Sequence, residues 1–134
     1  MMTAAADRRS FLTMLAAVPL SACVSDAAIK QVGAKAMYGL IGKMRAATGR
    51  RDELAGILTQ GLGAMPGNLS YIVALDTKDT DGIWVTEVWS DVAAHAASLA
   101  LPAVQDAIRR ARPLIAGMER IAETMPLGGY GLAN

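Results

Sequence analysis

A single cysteine, a single histidine and a single phenylalanine stand in a chain of 134 residues, and aromatic residues make up only 4% of it. One cysteine cannot close an intrachain disulfide, so any fold must rest on packing. One histidine, with neither His-x-x-x-His nor Cys-x-x-Cys present, argues against a metal centre. A Gly-x-Ser-x-Gly nucleophile elbow and a phosphate-cradling glycine loop are missing too. Neither sign of charge prevails, with 13 basic and 12 acidic residues. That balance lacks the electrostatic footprint of a nucleic-acid binder. The one basic run, Arg109-Arg110-Ala111-Arg112, has Asp106 nearby and reads as a solvated helix face. Repeats are absent, and the only biased tract is the tail Gly128-Gly129-Tyr130-Gly131.

What is present begins with an export signal over residues 1–23. Asp7-Arg8-Arg9-Ser10-Phe11-Leu12 opens an apolar stretch, Phe11 to Leu20, that is too short to span a bilayer as a mature helix. The arginine pair followed by Ser-Phe-Leu resembles a twin-arginine signal. Leu20-Ser21-Ala22-Cys23 resembles a lipobox, which makes Cys23 the lipidation site and attaches the mature protein to a membrane. The alternative is a plainly cleaved signal with an incidental cysteine. In either case the expected location is outside the cytoplasm, as a periplasmic protein or a membrane-anchored lipoprotein. Residues 24–35 mix small and charged side chains without periodicity and read as a tether. Residues 36–134 form the domain, whose modest size gives it reason to bury surface against a second copy.

Within the domain, Met37 to Arg45 alternates and reads as a strand. Arg50 to Gly61 is helical, since Leu54, Ile57, Leu58 and Leu62 fall on one stripe. Pro66-Gly67 is a turn, Leu69 to Leu75 a second strand, and Lys78 to Gly82 a polar hairpin connection. The third strand, Ile83 to Trp89, is crowded with β-branched and aromatic residues. Ser90 and Asp91 supply a helix start, and the alanine-rich run to Leu99 continues it. Pro102 opens another helix, with Val104, Ile108, Ala111 and Ile115 on one face. Met118 to Met125 is a fourth strand. The order is β-α-β-β-α-β with the second helical region in two pieces, which is the ferredoxin-like α+β pattern. It predicts a four-stranded antiparallel sheet with helices on one face and an apolar opposite face for a partner copy.

The third strand and the helix after it carry the candidate chemistry. Side chains alternate along a strand, so Ile83, Val85, Glu87 and Trp89 share one face, and Trp84, Thr86 and Val88 the other. An acid and an indole on one face, with His95 one helical turn beyond, form a plausible pocket wall. The competing reading makes Trp89 core, Glu87 a rim residue and His95 a satisfied imidazole.

Met37 to Met125 resembles the antibiotic biosynthesis monooxygenases of the dimeric α+β barrel superfamily. The resemblance rests on Pro66-Gly67-Asn68-Leu69-Ser70-Tyr71, on Glu87-Val88-Trp89, and on His95 followed by Ser98-Leu99-Ala100-Leu101-Pro102. It implies a homodimer that oxygenates a quinol or polycyclic phenol with O2, without metal, flavin or haem. On that basis His95 is the candidate base, Glu87 orients the imidazole, and Trp89, Trp84, Tyr71 and Tyr38 supply stacking surfaces. Asn68 would hydrogen-bond a phenolate or peroxide oxygen, against its reading as an ordinary turn residue. Superfamily members that degrade haem use an Asn, Trp and His set. Here the first strand has no Asn and Val104 to Arg112 has no His, so haem degradation is not expected. The resulting expectation is an exported cofactor-independent monooxygenase. The alternative is a non-catalytic ligand-binding or stress-response domain of the same fold.

Overall fold

A computed structural model describes residues 36–60 and 65–132. The export signal, the tether and Leu62 of the first helical stripe lie outside the described residues. The elements are β1 (Tyr38–Ala46), α1 (Arg51–Thr59), β2 (Asn68–Leu75), β3 (Gly82–Trp89), α2 (Val92–Ser98), α3 (Pro102–Ala111), a 3-10 turn (Arg112–Leu114) and β4 (Ile115–Thr124). They follow the expected ferredoxin-like order. The strands form one antiparallel sheet in the order β2-β3-β1-β4.

One expected boundary is corrected. Ile115 does not close the stripe of α3 but opens β4, three residues before the expected start at Met118. Pro113 sits in the intervening turn, and its ring and missing N–H stop the helix from continuing. The residues of α3 that are buried are Val104, Ala107 and Ala111.

The core lies between the helices and one face of the sheet. Leu54 and Leu58 of α1 meet Ala46, Ile83 and Val85 from the strands and Ala111 and Leu114 from the segment before β4. Leu54 and Ile83 are fully buried, and each such side chain contributes roughly 1.5–3 kcal/mol.

Two polar devices set the ends of β3. At its start, the β2–β3 connection folds around Asp76, whose Oδ1 accepts the backbone N–H groups of Lys78 and Asp79. Lys43 of β1 pairs with Asp76 at 2.9 Å, and Arg51 of α1 donates to the carbonyls of Asp76 and Asp79. At the other end, Asp91 caps α2 by accepting the Ala94 N–H at 2.8 Å. Ser90, expected to share that task, donates its hydroxyl to Asp91 instead. Gly67 closes the approach. Its φ is 79°, and a Cβ there would stand 2.6 Å from the Cβ of Ala94. Only glycine lets the turn before β2 pass so close to α2, and the Gly67 carbonyl accepts the Ser90 N–H at 2.8 Å.

Candidate active site

The cleft-facing residues of the sheet follow from register. Tyr71, Glu87 and Leu40 stand in one row across β2, β3 and β1, and Val73, Val85, Gly42 and Arg120 in the next across all four strands. Against this surface, α2 and α3 leave a cleft of about 580 Å³. Its walls are mostly apolar: Leu40, Met44, Val85, Leu99, Val104 and Ile108 among others. Glu87, Tyr71, Trp89 and His95 bring polar atoms to one part of it, and Lys43, Ser98, Arg112, Glu119 and Arg120 also line it.

Glu87 and Trp89 are two residues apart on one strand face, so the indole can reach back to the carboxylate. Trp89 Nε1 donates to Glu87 Oε2 at 2.8 Å. The same oxygen lies 3.9 Å from His95 Nε2, and both side chains are about 15% exposed (15% for Glu87, 16% for His95). The imidazole is packed between two rings. Trp89 meets it edge-on at 5.4 Å between centroids, and Tyr38 meets it at a tilt, also at 5.4 Å. His95 is therefore flanked by a carboxylate and two aromatic rings while keeping access to the cleft. Such a group can take a proton from a ligand in the cleft.

Tyr71 sits across the register from Glu87. Burial, with the Glu87 charge second, pushes its phenol up to about 12, so it remains a neutral hydrogen-bond donor at neutral pH. Tyr38 donates to Glu123 Oε1 at 3.0 Å, and burial followed by that carboxylate raises its pKa above the ordinary value. Glu123 Oε1 also accepts from Arg120 at 2.6 Å. This Tyr38–Glu123–Arg120 chain had no signal in the sequence, because it joins two strands distant along the chain.

The tertiary structure thus brings Glu87, Trp89, Tyr71 and His95 to one cleft, with Tyr38 against the histidine. It separates the other two candidates from them. Trp84 lies on the opposite face, where its Nε1 donates to Asp76 Oδ2 at 2.9 Å and Lys43 Nζ stands 5.3 Å from the ring centroid. Asn68 occupies the irregular start of β2, and its amide donates to the carbonyls of Ser70 and Val88. Neither belongs to the cleft wall, since strand alternation removes the first and a backbone irregularity occupies the second. Cys23 lies outside the described residues. Among the residues that sequence reasoning missed are the bare floor position Gly42, the methionines Met44, Met65 and Met118, and the charged Lys43, Arg112, Glu119 and Arg120. The alternation of β1 carried the signal for Gly42 and Met44.

Residues 37–110 match the family model for antibiotic biosynthesis monooxygenases. The chain belongs to this family. A solved structure from Chloroflexus aurantiacus, described provisionally as an antibiotic biosynthesis monooxygenase, is 59% identical over 72% of this chain and 99% of its own, with a TM-score of 0.69. A protein from Pseudomonas aeruginosa aligns at 21% identity over 71% of this chain and 98% of its own, with a TM-score of 0.63. One from Caulobacter crescentus, with the same provisional description as the first, aligns at 13% identity over 75% and 98%, again at 0.63. These last two share the fold. No curated protein matches the chain. Within the family's fold, Glu87, Trp89 and His95 are among the residues that face the cleft here.

Proposed function

We propose that this protein is an exported, cofactor-independent monooxygenase that oxidises a quinol or polycyclic phenol with O2. The observation that carries the reading is a polar cluster in the cleft, in which Glu87 Oε2 accepts the Trp89 indole N–H and lies 3.9 Å from His95 Nε2. An electron-rich phenol gives its proton to His95, and the resulting phenolate passes one electron to O2. The radical pair combines to form a carbon–oxygen bond. Loss of water from the hydroperoxide leaves a quinone, so one oxygen atom ends in product and the other in water. Both electrons for that water come from the substrate. The apolar walls would keep bulk water from the intermediates, and Tyr71, held neutral, offers a hydrogen bond to a developing oxyanion.

The test is O2 uptake with a panel of hydroquinones and polycyclic phenols, compared with binding of the same compounds. Saturable uptake that puts one atom of O2 into the quinone product supports the reading. Binding without uptake supports the alternative, a ligand-binding domain.

Two further parts of the reading concern the chain's surroundings. A homodimer is supported by the sheet face that none of the described helices covers, where Ile72 is 56% exposed beside Thr86 and Ile41 in the register. A stable monomer in sedimentation at micromolar concentration would end that part. Export, with membrane attachment through Cys23, is supported by Arg8-Arg9 and Leu20-Ser21-Ala22-Cys23. Cys23→Ser should then release the exported protein from membranes, and continued attachment argues for an uncleaved anchor.

A further inference from the structure

The floor of the cleft has one position without a side chain. Along β1 the cleft-facing residues include Leu40, Gly42 and Met44, and all three line the cavity. Gly42 is opposed by Val85 on β3 and by Arg120 on β4. Leu40, Met44, Val85 and Arg120 therefore ring a gap one side chain deep, near the middle of the sheet.

The backbone does not demand glycine there. Gly42 is not among the glycines with positive φ. A Cβ added to it would meet only the Glu119 carbonyl oxygen at 3.5 Å, an ordinary contact. The register shift next to it leaves its extra residue in β4, where Ile121 falls between the paired Arg120 and Ala122. That irregularity asks for no left-handed residue in β1. Glycine weakens a strand interior, and close approach of another group is a recurrent reason to keep it.

We propose that Gly42 determines the substrate range of the cleft: its bare backbone seats the second ring of a fused-ring phenol whose hydroxyl end lies at Glu87 and His95. This rests on the monooxygenase reading and narrows its substrate class to flat compounds of two or more fused rings. Glu87 stands one cleft-facing row away, about 7 Å along the strand direction. That is roughly the reach from a phenolic oxygen across its own ring to the next. A side chain at residue 42 would lift the second ring off the sheet, whereas a single ring at the Glu87 end would not reach the gap.

The test is equilibrium binding of dihydroxyanthraquinone, with three fused rings, and of hydroquinone, with one, to wild type, Gly42→Ala and Gly42→Leu. Circular dichroism establishes that each variant is folded. The expected result is a stepwise loss of anthraquinone affinity, reaching at least roughly tenfold for leucine, with hydroquinone affinity held within about twofold. Should Gly42→Leu fail to fold, a selective loss in Gly42→Ala supports the seat by itself. Unchanged anthraquinone affinity overturns the inference, and so does an equal loss for both probes. O2 uptake keeps the two readings apart. Ring-selective binding without uptake retires the monooxygenase and leaves the seat, whereas uptake with no effect at residue 42 does the reverse.

Discussion

Trp89 donates its indole N–H to Glu87 Oε2 at 2.8 Å, the same oxygen that stands 3.9 Å from His95 Nε2. The indole is 1% exposed, so a core residue fixes the position of a carboxylate at the cleft. Trp89 is thus at once a buried residue and the donor to a carboxylate that lines the cleft. A buried indole N–H needs a partner, and here the partner is the carboxylate nearest the histidine.

If the proposed reading holds, His95→Ala should lower turnover more than it lowers affinity, because the imidazole would act on the proton of a ligand already bound. Loss of a positioned general base typically costs about a hundred- to ten-thousand-fold in rate. Steady-state kinetics across pH will check it. A limb of the pH–rate profile that vanishes in the variant belongs to the imidazole, and one that persists belongs to the substrate phenol. A variant with wild-type turnover and profile would make His95 a packing residue.

Glu87→Gln should bring the Tyr71 phenol down from about 12 toward, though not to, its ordinary value. Burial is the larger cause of the shift and persists in the variant, while the Glu87 charge is the smaller and is removed. Near-ultraviolet titration of wild type and variant measures the change. The same shift governs alkaline stability. A phenol whose folded pKa exceeds its unfolded value of about 10 stabilises the fold fully below that value. The contribution is lost as pH rises from there through about 12. Tyr71→Phe should therefore flatten the fall of stability in that window, and an unaltered alkaline unfolding curve would count against it.

Trp89→Ala should destabilise the domain by about 3–5 kcal/mol, the usual cost of emptying a large buried aromatic site. Trp89→Phe should cost less in stability, yet it removes the hydrogen bond to Glu87. Its turnover should therefore fall further than its denaturant midpoint would suggest. If activity instead tracks stability in both variants, the indole N–H has no role beyond packing.

Gly67→Ala should lower stability by at least about 1 kcal/mol, since an alanine there must adopt left-handed backbone. The added methyl would also collide with Ala94, one residue before His95. Both denaturant unfolding and turnover should respond, and Gly49→Ala is the control. Gly49 shares the positive φ, but a Cβ there has nothing within 4 Å. Equal losses of activity in the two variants would show that the contact with α2 is immaterial to the site.

Much of this protein was determined by local sequence. The period of two along Ile83–Trp89 placed Glu87 with Trp89 and separated them from Trp84, and the period near 3.6 marked Leu54 and Leu58 as the buried stripe of α1. The cap at Asp91 and the turn at Gly67 were legible because one or two residues specify each. Those periodicities say which side chains share a face, but not what covers that face. Only the tertiary structure decided that α2 and α3 roof the Glu87 side, that the Asn68 amide is taken up by backbone carbonyls, and that Trp84 answers to Asp76. Only the pairing of β1 with both β3 and β4 put Gly42 near the middle of the floor and Tyr38 within reach of Glu123. The physical reason is range. Alternation and capping are set by neighbours in the chain, whereas strand order and the packing of helices on a sheet are set by contacts between residues dozens of positions apart.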